Sequence, residues 1–238
     1  MATVAIVLAG GSGSRVQRDV NKVFLPLGDR EMLAYSLDTM DRSPLIDEVI
    51  LVVRDEDRPL AERLISEAGW AKLVAVVTGG ESRHQSEWHA IASVADGIDG
   101  GRVDIVVIHD GARPFMTAEI LAATIEAARR SGGGVPGLPI EGPIYERRGE
   151  SVLVAPHAKL RRMQTPQAFQ AAPLLAAHRA AEAENSEGVD TAATASRHSE
   201  MSVEVVPGDP RNIKVTFVED IFRAEEYAAS FNRGAWAG

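Results

Sequence analysis

Val4-Ala5-Ile6-Val7-Leu8-Ala9-Gly10-Gly11-Ser12-Gly13-Ser14-Arg15 is the stretch on which the fold turns. Its first five residues are apolar without alternation, and the run stops at a glycine-rich turn. Continuous apolarity predicts a strand buried on both faces, as in a parallel sheet. Glu48–Val53, Leu73–Val77 and Val103–Ile108 read the same way. Helical spacing of apolar residues separates them at Met32–Met40, Arg58–Ala68 and Gln85–Val94, and continues at Thr117–Arg130, where Thr117 is the expected N-cap. Strands alternating with helices predict an α/β fold with right-handed crossovers. Further on, Ala171–Glu184 and Glu219–Ser230 read as helices and Val203–Val206 as a strand. The pattern changes after Ser131, where Gly132-Gly133-Gly134 leads into a proline-broken, charged stretch. That stretch suits an arm leaving the main sheet over about 136–163, within one domain spanning 1–238; a long surface loop is the competing reading.

Composition narrows the function. The chain has 238 residues and a formal net charge of −9, which argues against coating nucleic acid through a broad basic face. It leaves room for a local basic pocket. There is no cysteine, so disulfides and thiolate metal sites are excluded. Val4–Leu8 is too short to span a bilayer and lacks the flanks of a signal peptide. A soluble cytoplasmic protein with no membrane partner is therefore expected.

The chemistry begins in the glycine turn. Glycines let backbone N–H groups approach phosphate oxygens without Cβ interference. Arg15 can grip a phosphate bidentately, and Lys22, seven residues on, adds a point charge. Two other phosphate loops are excluded. The chain lacks the GK[ST] ending of a P-loop, and Val16 stands where the dinucleotide fingerprint needs its third glycine. Asp110 ends an apolar run, so it falls at the carboxyl end of a strand, where open α/β sheets place ligands. A carboxylate there can hold Mg²⁺ against triphosphate oxygens, although a helix-capping or loop aspartate is the other reading. His109 reads as a packed, hydrogen-bonded neighbour, and Arg83 as no more than a solvated surface charge.

Five segments in order carry a family likeness: Leu8–Arg15 with Lys22, Gly79-Gly80-Glu81-Ser82-Arg83 with Ser86, His109–Pro114, Gln164-Thr165-Pro166-Gln167, and Asn212-Ile213-Lys214-Val215-Thr216. From about Val4 to about Tyr227 the chain resembles the 2-C-methyl-D-erythritol 4-phosphate cytidylyltransferases. The ribitol 5-phosphate cytidylyltransferases share most of these segments. The resemblance implies a Rossmann-like, mostly parallel sheet of the nucleotide-diphospho-sugar transferase type, with a protruding β-arm. It implies a nucleotide site at Ala9, Gly10, Gly11, Gly13, Gly80, Glu81, Ser86 and Gly111, with Asp190 near it. Arg15, Lys22 and Lys214 are the implied catalytic residues. Asp110, Arg113, His157, Thr165 and Lys214 are implied to meet the acceptor, and Asp110 to hold Mg²⁺. The expected partners are CTP, a small phosphorylated alcohol, and a second copy of the chain clasped through the arm.

The likeness thins at the arm. The family's Asp-Thr-hydrophobic-Lys is here Gly142-Pro143-Ile144-Tyr145, and its arginine eight residues before Thr165 is here His157. Proline offers neither hydroxyl nor N–H, and neutral histidine cannot grip phosphate bidentately. Lys159, on the same face as His157 if the arm is extended, Arg161 or Arg162 can supply the missing charge. Four outcomes therefore stand open: CMP transfer to methylerythritol phosphate, transfer to another polyol phosphate, transfer of a different nucleotide to make a nucleotide-sugar, and a nucleotide-binding protein without turnover.

Overall fold

The computed structural model describes residues 1–11, 21–155 and 158–231. Gly13, Arg15 and His157 lie outside the described residues. In chain order the elements are β1 (Ala2–Leu8), β2 (Pro26–Leu27), β3 (Arg30–Glu31), α1 (Met32–Arg42), β4 (Glu48–Val53), α2 (Arg58–Ala68) and β5 (Leu73–Thr78). They continue with α3 (Arg83–Ser93), α4 (Ala95–Asp99), β6 (Val103–Asp110), α5 (Ala118–Ser131), β7 (Gly132–Pro139), β8 (Tyr145–Arg148) and β9 (Ser151–Val154). The last are β10 (Arg161–Met163), β11 (Gln167–Gln170), α6 (Ala171–Ala183), α7 (Thr191–His198), β12 (Ser202–Pro207) and α8 (Val218–Phe231).

The main sheet runs β10-β7-β11-β6-β1-β4-β5, with β12 also paired to β7. The half formed by β6, β1, β4 and β5 is parallel throughout, so the carboxyl ends of four strands share one edge. Because side chains alternate along a strand, each central strand feeds two cores. Ala5, Val7, Val49, Leu51, Val53, Ile105 and Val107 pack with α1, α2 and α5. Val4, Ile6, Ile50, Val52, Val106 and Ile108 pack on the opposite face with α3, α6 and α7. Burial on both faces is why these strands carry no polar alternation. A third cluster, with Leu27, Tyr35, Phe115, Val215, Ala224 and Ala228, seats α8. No helix among the described residues is long and apolar enough to cross a membrane.

Two features of the sequence reading need correction. Leu73–Val77 is not buried on both faces: β5 is an edge strand, and Val74 is 57% exposed. Residues 136–139 and 161–163 belong to the main sheet rather than to the arm. Gly132–Pro139 looks like a loop because it is rich in glycine and proline, yet it is a buried strand. The glycines serve close packing. A Cβ on Gly134 would lie 2.2 Å from the Thr124 carbonyl oxygen of α5, so only glycine lets the helix approach this near. The excursion proper is the two-stranded β8–β9 hairpin, with Tyr145, Leu153 and Val154 exposed. Ala158 and Lys159 form a turn, and the reading that sets Lys159 on one face with His157 lies outside the described residues.

Candidate active site

A cavity of about 520 Å³ opens at the carboxyl ends of the parallel strands, within the size class of small-molecule sites. Its walls come from Leu8–Gly11 after β1, Arg54 after β4, Gly80–Arg83 and Ser86 at the start of α3, Asp110 at the end of β6, and Lys22, Lys214 and Thr216. Four cations, Lys22, Arg54, Arg83 and Lys214, face two carboxylates, Glu81 and Asp110. A locally basic cavity thus sits in a net acidic chain.

The ends of the glycine turn are pinned by a buried network that sequence reading did not find. Ala9 N–H donates to the Val52 carbonyl at 2.7 Å. The Asn21 amide donates to the Ala9 carbonyl at 2.6 Å and to Asp57 at 2.9 Å. Arg54 donates to both Asp57 oxygens, at 2.7 and 3.0 Å. Asn21 also caps the single turn that begins with Lys22, by accepting from Val23 N–H. Only the short-range signal of an Asn before Lys22 was available; Arg54 and Asp57 sit in a charged segment with no motif.

The start of α3 faces the cavity, and a helix N-terminus favours an anion there. Ser82 is the N-cap, accepting from Gln85 N–H. Ser86 lies one turn in, buried, and its hydroxyl accepts the Gly80 N–H at 3.1 Å. Glu81 is exposed and engages Gln85 through its backbone N–H, so its carboxylate is not what fixes this loop. Asp190 does not line the cavity; it caps α7 and accepts from Gln167.

Asp110 is the electrostatic centre. Arg83 Nε and Nη2 both lie 3.2 Å from Oδ1, and Lys214 Nζ lies 2.8 Å from Oδ2. Arg113 Nε is farther, at 3.8 Å. Burial alone would raise this carboxyl, but Arg83, Lys214 and Arg113 together hold it well below the usual carboxylate range. Arg83 is therefore not a solvated surface charge. The alternation of Ile213, Lys214 and Val215 implied a strand, but Lys214 reaches Asp110 from a segment outside any strand, which Val215 N–H anchors to the Ala112 carbonyl at 2.8 Å.

Three implied contact residues stand behind the wall rather than on it. Gly111 packs against Leu8 and Leu33, where a Cβ would come within 2.9 Å of Leu33 Cδ1. Thr165 is buried. Its oxygen accepts the Asp110 N–H at 3.0 Å, and its hydroxyl proton goes to His109 Nδ1 at 3.1 Å. His109 Nε2–H then faces the Arg113 carbonyl at 3.1 Å and the Ser36 hydroxyl at 3.2 Å. Burial pushes the His109 imidazole down to about 4, so it is neutral near pH 7 and acts as a brace. Arg113 donates to the Asn212 carbonyl at 2.8 Å, and Asn212 donates to the Thr165 carbonyl at 2.9 Å. This ring of bonds locks the Asp110 loop to the segment carrying Lys214, and Asn212 is a residue that only its position in the last motif could suggest.

The comparisons agree with this architecture. The family model described as 2-C-methyl-D-erythritol 4-phosphate cytidylyltransferase matches residues 3–230. A cytidylyltransferase of that name from Geobacter metallireducens is 34% identical over 229 residues, covering 95% of this chain and 97% of its own length. One from Cereibacter sphaeroides is 35% identical over 230 residues, covering 96% and 98%. The crystal structure of 4-diphosphocytidyl-2C-methyl-D-erythritol synthase from Anaerococcus prevotii superposes with a TM-score of 0.83 at 27% identity, covering 96% of both chains. With one family model spanning nearly the whole chain and relatives above 30% identity along nearly all of it, the chain belongs to the 2-C-methyl-D-erythritol 4-phosphate cytidylyltransferase family.

Proposed function

We propose that the chain transfers CMP from CTP to 2-C-methyl-D-erythritol 4-phosphate and releases pyrophosphate, a step in isoprenoid precursor synthesis by the non-mevalonate route. The observation that carries this reading is the Arg83–Asp110–Lys214 array on the wall of a basic cavity. An oxygen of the acceptor phosphate attacks the α-phosphorus of CTP. The bond from that phosphorus to the bridging oxygen breaks, and pyrophosphate leaves with the electron pair. No covalent intermediate on the protein is needed. Lys22, with Arg15, neutralises charge building on the transferring and leaving phosphates. Lys214 orients the acceptor phosphate, and the start of α3 receives the nucleotide.

The donor set suits Mg²⁺. Asp110 is the one buried carboxylate lining the cavity among the described residues, and its neighbours keep it ionised. Mg²⁺ bound through a single carboxylate takes its other ligands from water and phosphate, and when bound it screens repulsion between the two anionic substrates.

Pyrophosphate release from CTP, screened over several polyol phosphates, tests the proposal. Release with methylerythritol phosphate supports it. Release only with another polyol phosphate, such as ribitol 5-phosphate, moves the acceptor assignment, and Pro143 in the exposed arm is the observation that favours this second reading. No release with any acceptor overturns turnover altogether. A reaction that consumes CTP also belongs where nucleoside triphosphates are made, the cytoplasm.

The hairpin suggests the second partner. An isolated two-stranded ribbon is marginal in water, and this one exposes Tyr145, Leu153 and Val154. A homodimer in which the two arms clasp covers these side chains. Light scattering at micromolar concentration tests it, and a monomer there rejects it.

A further inference from the structure

Behind Arg83 lies a fully buried carboxylate that neither the motifs nor the reaction scheme uses. Glu87 is one turn along α3 from Arg83 and is 1% exposed. Its Oε1 accepts from Arg83 Nη1 and from the Thr191 hydroxyl of α7, the latter at 2.6 Å. Arg83 therefore stands between two carboxylates, with Glu87 behind it and Asp110 toward the cavity. Every donor on Arg83 that bonds Asp110 goes to Oδ1, which leaves Oδ2 turned to Lys214.

We propose that Glu87 is a positioning residue: it holds the Arg83 guanidinium so that Arg83 meets one oxygen of Asp110 and the other stays directed at Lys214 and the cavity. The inference rests on reading this cavity as the transferase site. The physical reason is that a guanidinium held by one carboxylate is free to rotate about that contact. A second, buried acceptor one helical turn away removes that freedom. Without it, Arg83 can close on both Asp110 oxygens and compete with Lys214.

The surroundings of Glu87 give this anchor a pH dependence. Arg83 faces it from its own helix, Asp110 from β6, Asp190 and Thr191 from the start of α7, and His178 from α6, with Nε2 at 3.9 Å. Burial, reinforced by Asp110 and Asp190, pushes the Glu87 carboxyl up to about 7 against the opposing pull of Arg83 and the Thr191 hydroxyl. Below that pH the anchor is neutral and its hold on Arg83 weakens. His84, Glu87 and His178 also bring ligand atoms within 4.8 Å of one another. Yet the two imidazole planes are only 19° apart, with centroids at 5.1 Å. Lone pairs lying in stacked, near-parallel planes do not converge on one ion, so the trio is not read as a metal centre.

The test follows kcat and KM for CTP and for methylerythritol phosphate, by pyrophosphate release, from about pH 5.5 to about 9. Thermal melts run alongside. In the unaltered enzyme kcat/KM should fall on the acid side with an inflection near neutrality. Glu87→Gln keeps the shape but not the charge. It should lower kcat/KM at pH 8 by about tenfold and flatten that inflection. Thr191→Val removes a hydroxyl that favours the carboxylate, so it should move the inflection to higher pH, and Thr191→Ser should restore it. An unchanged profile in Glu87→Gln overturns the proposal. Should that variant fail to fold, an inflection in Thr191→Val identical to the unaltered enzyme overturns it. Asp110→Asn separates the two levels. Full turnover in that variant sinks the reading of the cavity itself. Loss there with unaltered behaviour of the Glu87 and Thr191 variants sinks only the anchor.

Discussion

Replacing Thr165 by valine distinguishes a bracing residue from one that touches substrate. The substitution keeps the shape and removes one hydroxyl. That hydroxyl accepts the Asp110 N–H at 3.0 Å and donates to His109 Nδ1 at 3.1 Å, and Thr165 is 3% exposed. Two buried polar groups lose their partner at once. Each costs about 1–3 kcal/mol when left unsatisfied, so the variant should lose roughly 2–6 kcal/mol of stability. For a chain of this size about 1 kcal/mol shifts Tm by roughly 2–4 °C, which predicts a fall of about 4–24 °C. Thr165→Ser should recover most of it. Activity should fall through kcat, because the Asp110 loop loosens, while KM for the acceptor stays within about twofold. Differential scanning calorimetry and steady-state pyrophosphate release read both. An acceptor KM raised about tenfold with Tm unchanged would refute the reasoning, because the hydroxyl would then be meeting the acceptor directly.

Other perturbations probe other parts. Lys22→Ala should lower kcat by about 10²-fold or more, the scale of one lost transition-state contact; near-normal turnover removes Lys22 from the mechanism. Gly134→Ala puts a methyl 2.2 Å from a backbone oxygen, so chemical denaturation should show a loss of about 1–3 kcal/mol or more. Acid stability follows from three buried groups. His109 and His178 are held down to about 4 and about 3, mainly by burial, while Glu87 is pushed up to about 7. Between roughly pH 4.5 and 6.5 the unfolded chain gains two protons on the histidines, and the folded chain gains one on Glu87. The unfolded state binds about one more, so stability should drop as pH falls, by about tenfold in the folding constant per pH unit. In Glu87→Gln the folded-state proton is gone and the slope should roughly double. A flat profile in urea titrations over this range contradicts the neutral buried histidines.

The parallel half of the sheet was legible because its signal is local. Residues at Val4–Leu8, Glu48–Val53 and Val103–Ile108 are apolar on both faces, and the glycine turn and Asp110 follow directly from where those strands end. The other half was not legible for an equally physical reason. Gly132–Pro139 has the composition of a loop, and its identity as a strand comes from contact with α5, about which local sequence is silent. Strand β11 is only four residues long and follows a Thr-Pro turn signal. At the site, the motifs identified Lys22, Asp110 and Lys214, which line the cavity, while Thr165 and Arg113, implied to meet the acceptor, also make the hydrogen bonds that hold the Asp110 loop. A motif marks residues that must be near the chemistry and does not say on which side of the wall they stand. Glu87 carried no signal at all, since a glutamate one turn after an arginine is usually a solvated helix pair.

The seat of α8 has a consequence for how the enzyme fails. Lys214 is carried by a segment whose Val215 packs with Phe115, Ala224 and Ala228 in a small cluster apart from the two cores on the sheet. That cluster is smaller than either core on the sheet, so it should open before the main sheet under mild denaturant. Such an opening withdraws the ammonium from Asp110 while the eight-stranded sheet remains folded. Amides of α8 should therefore exchange with solvent well before those of β1 and β6, and activity should disappear along with the protection of α8, at denaturant concentrations where most of the chain is still native.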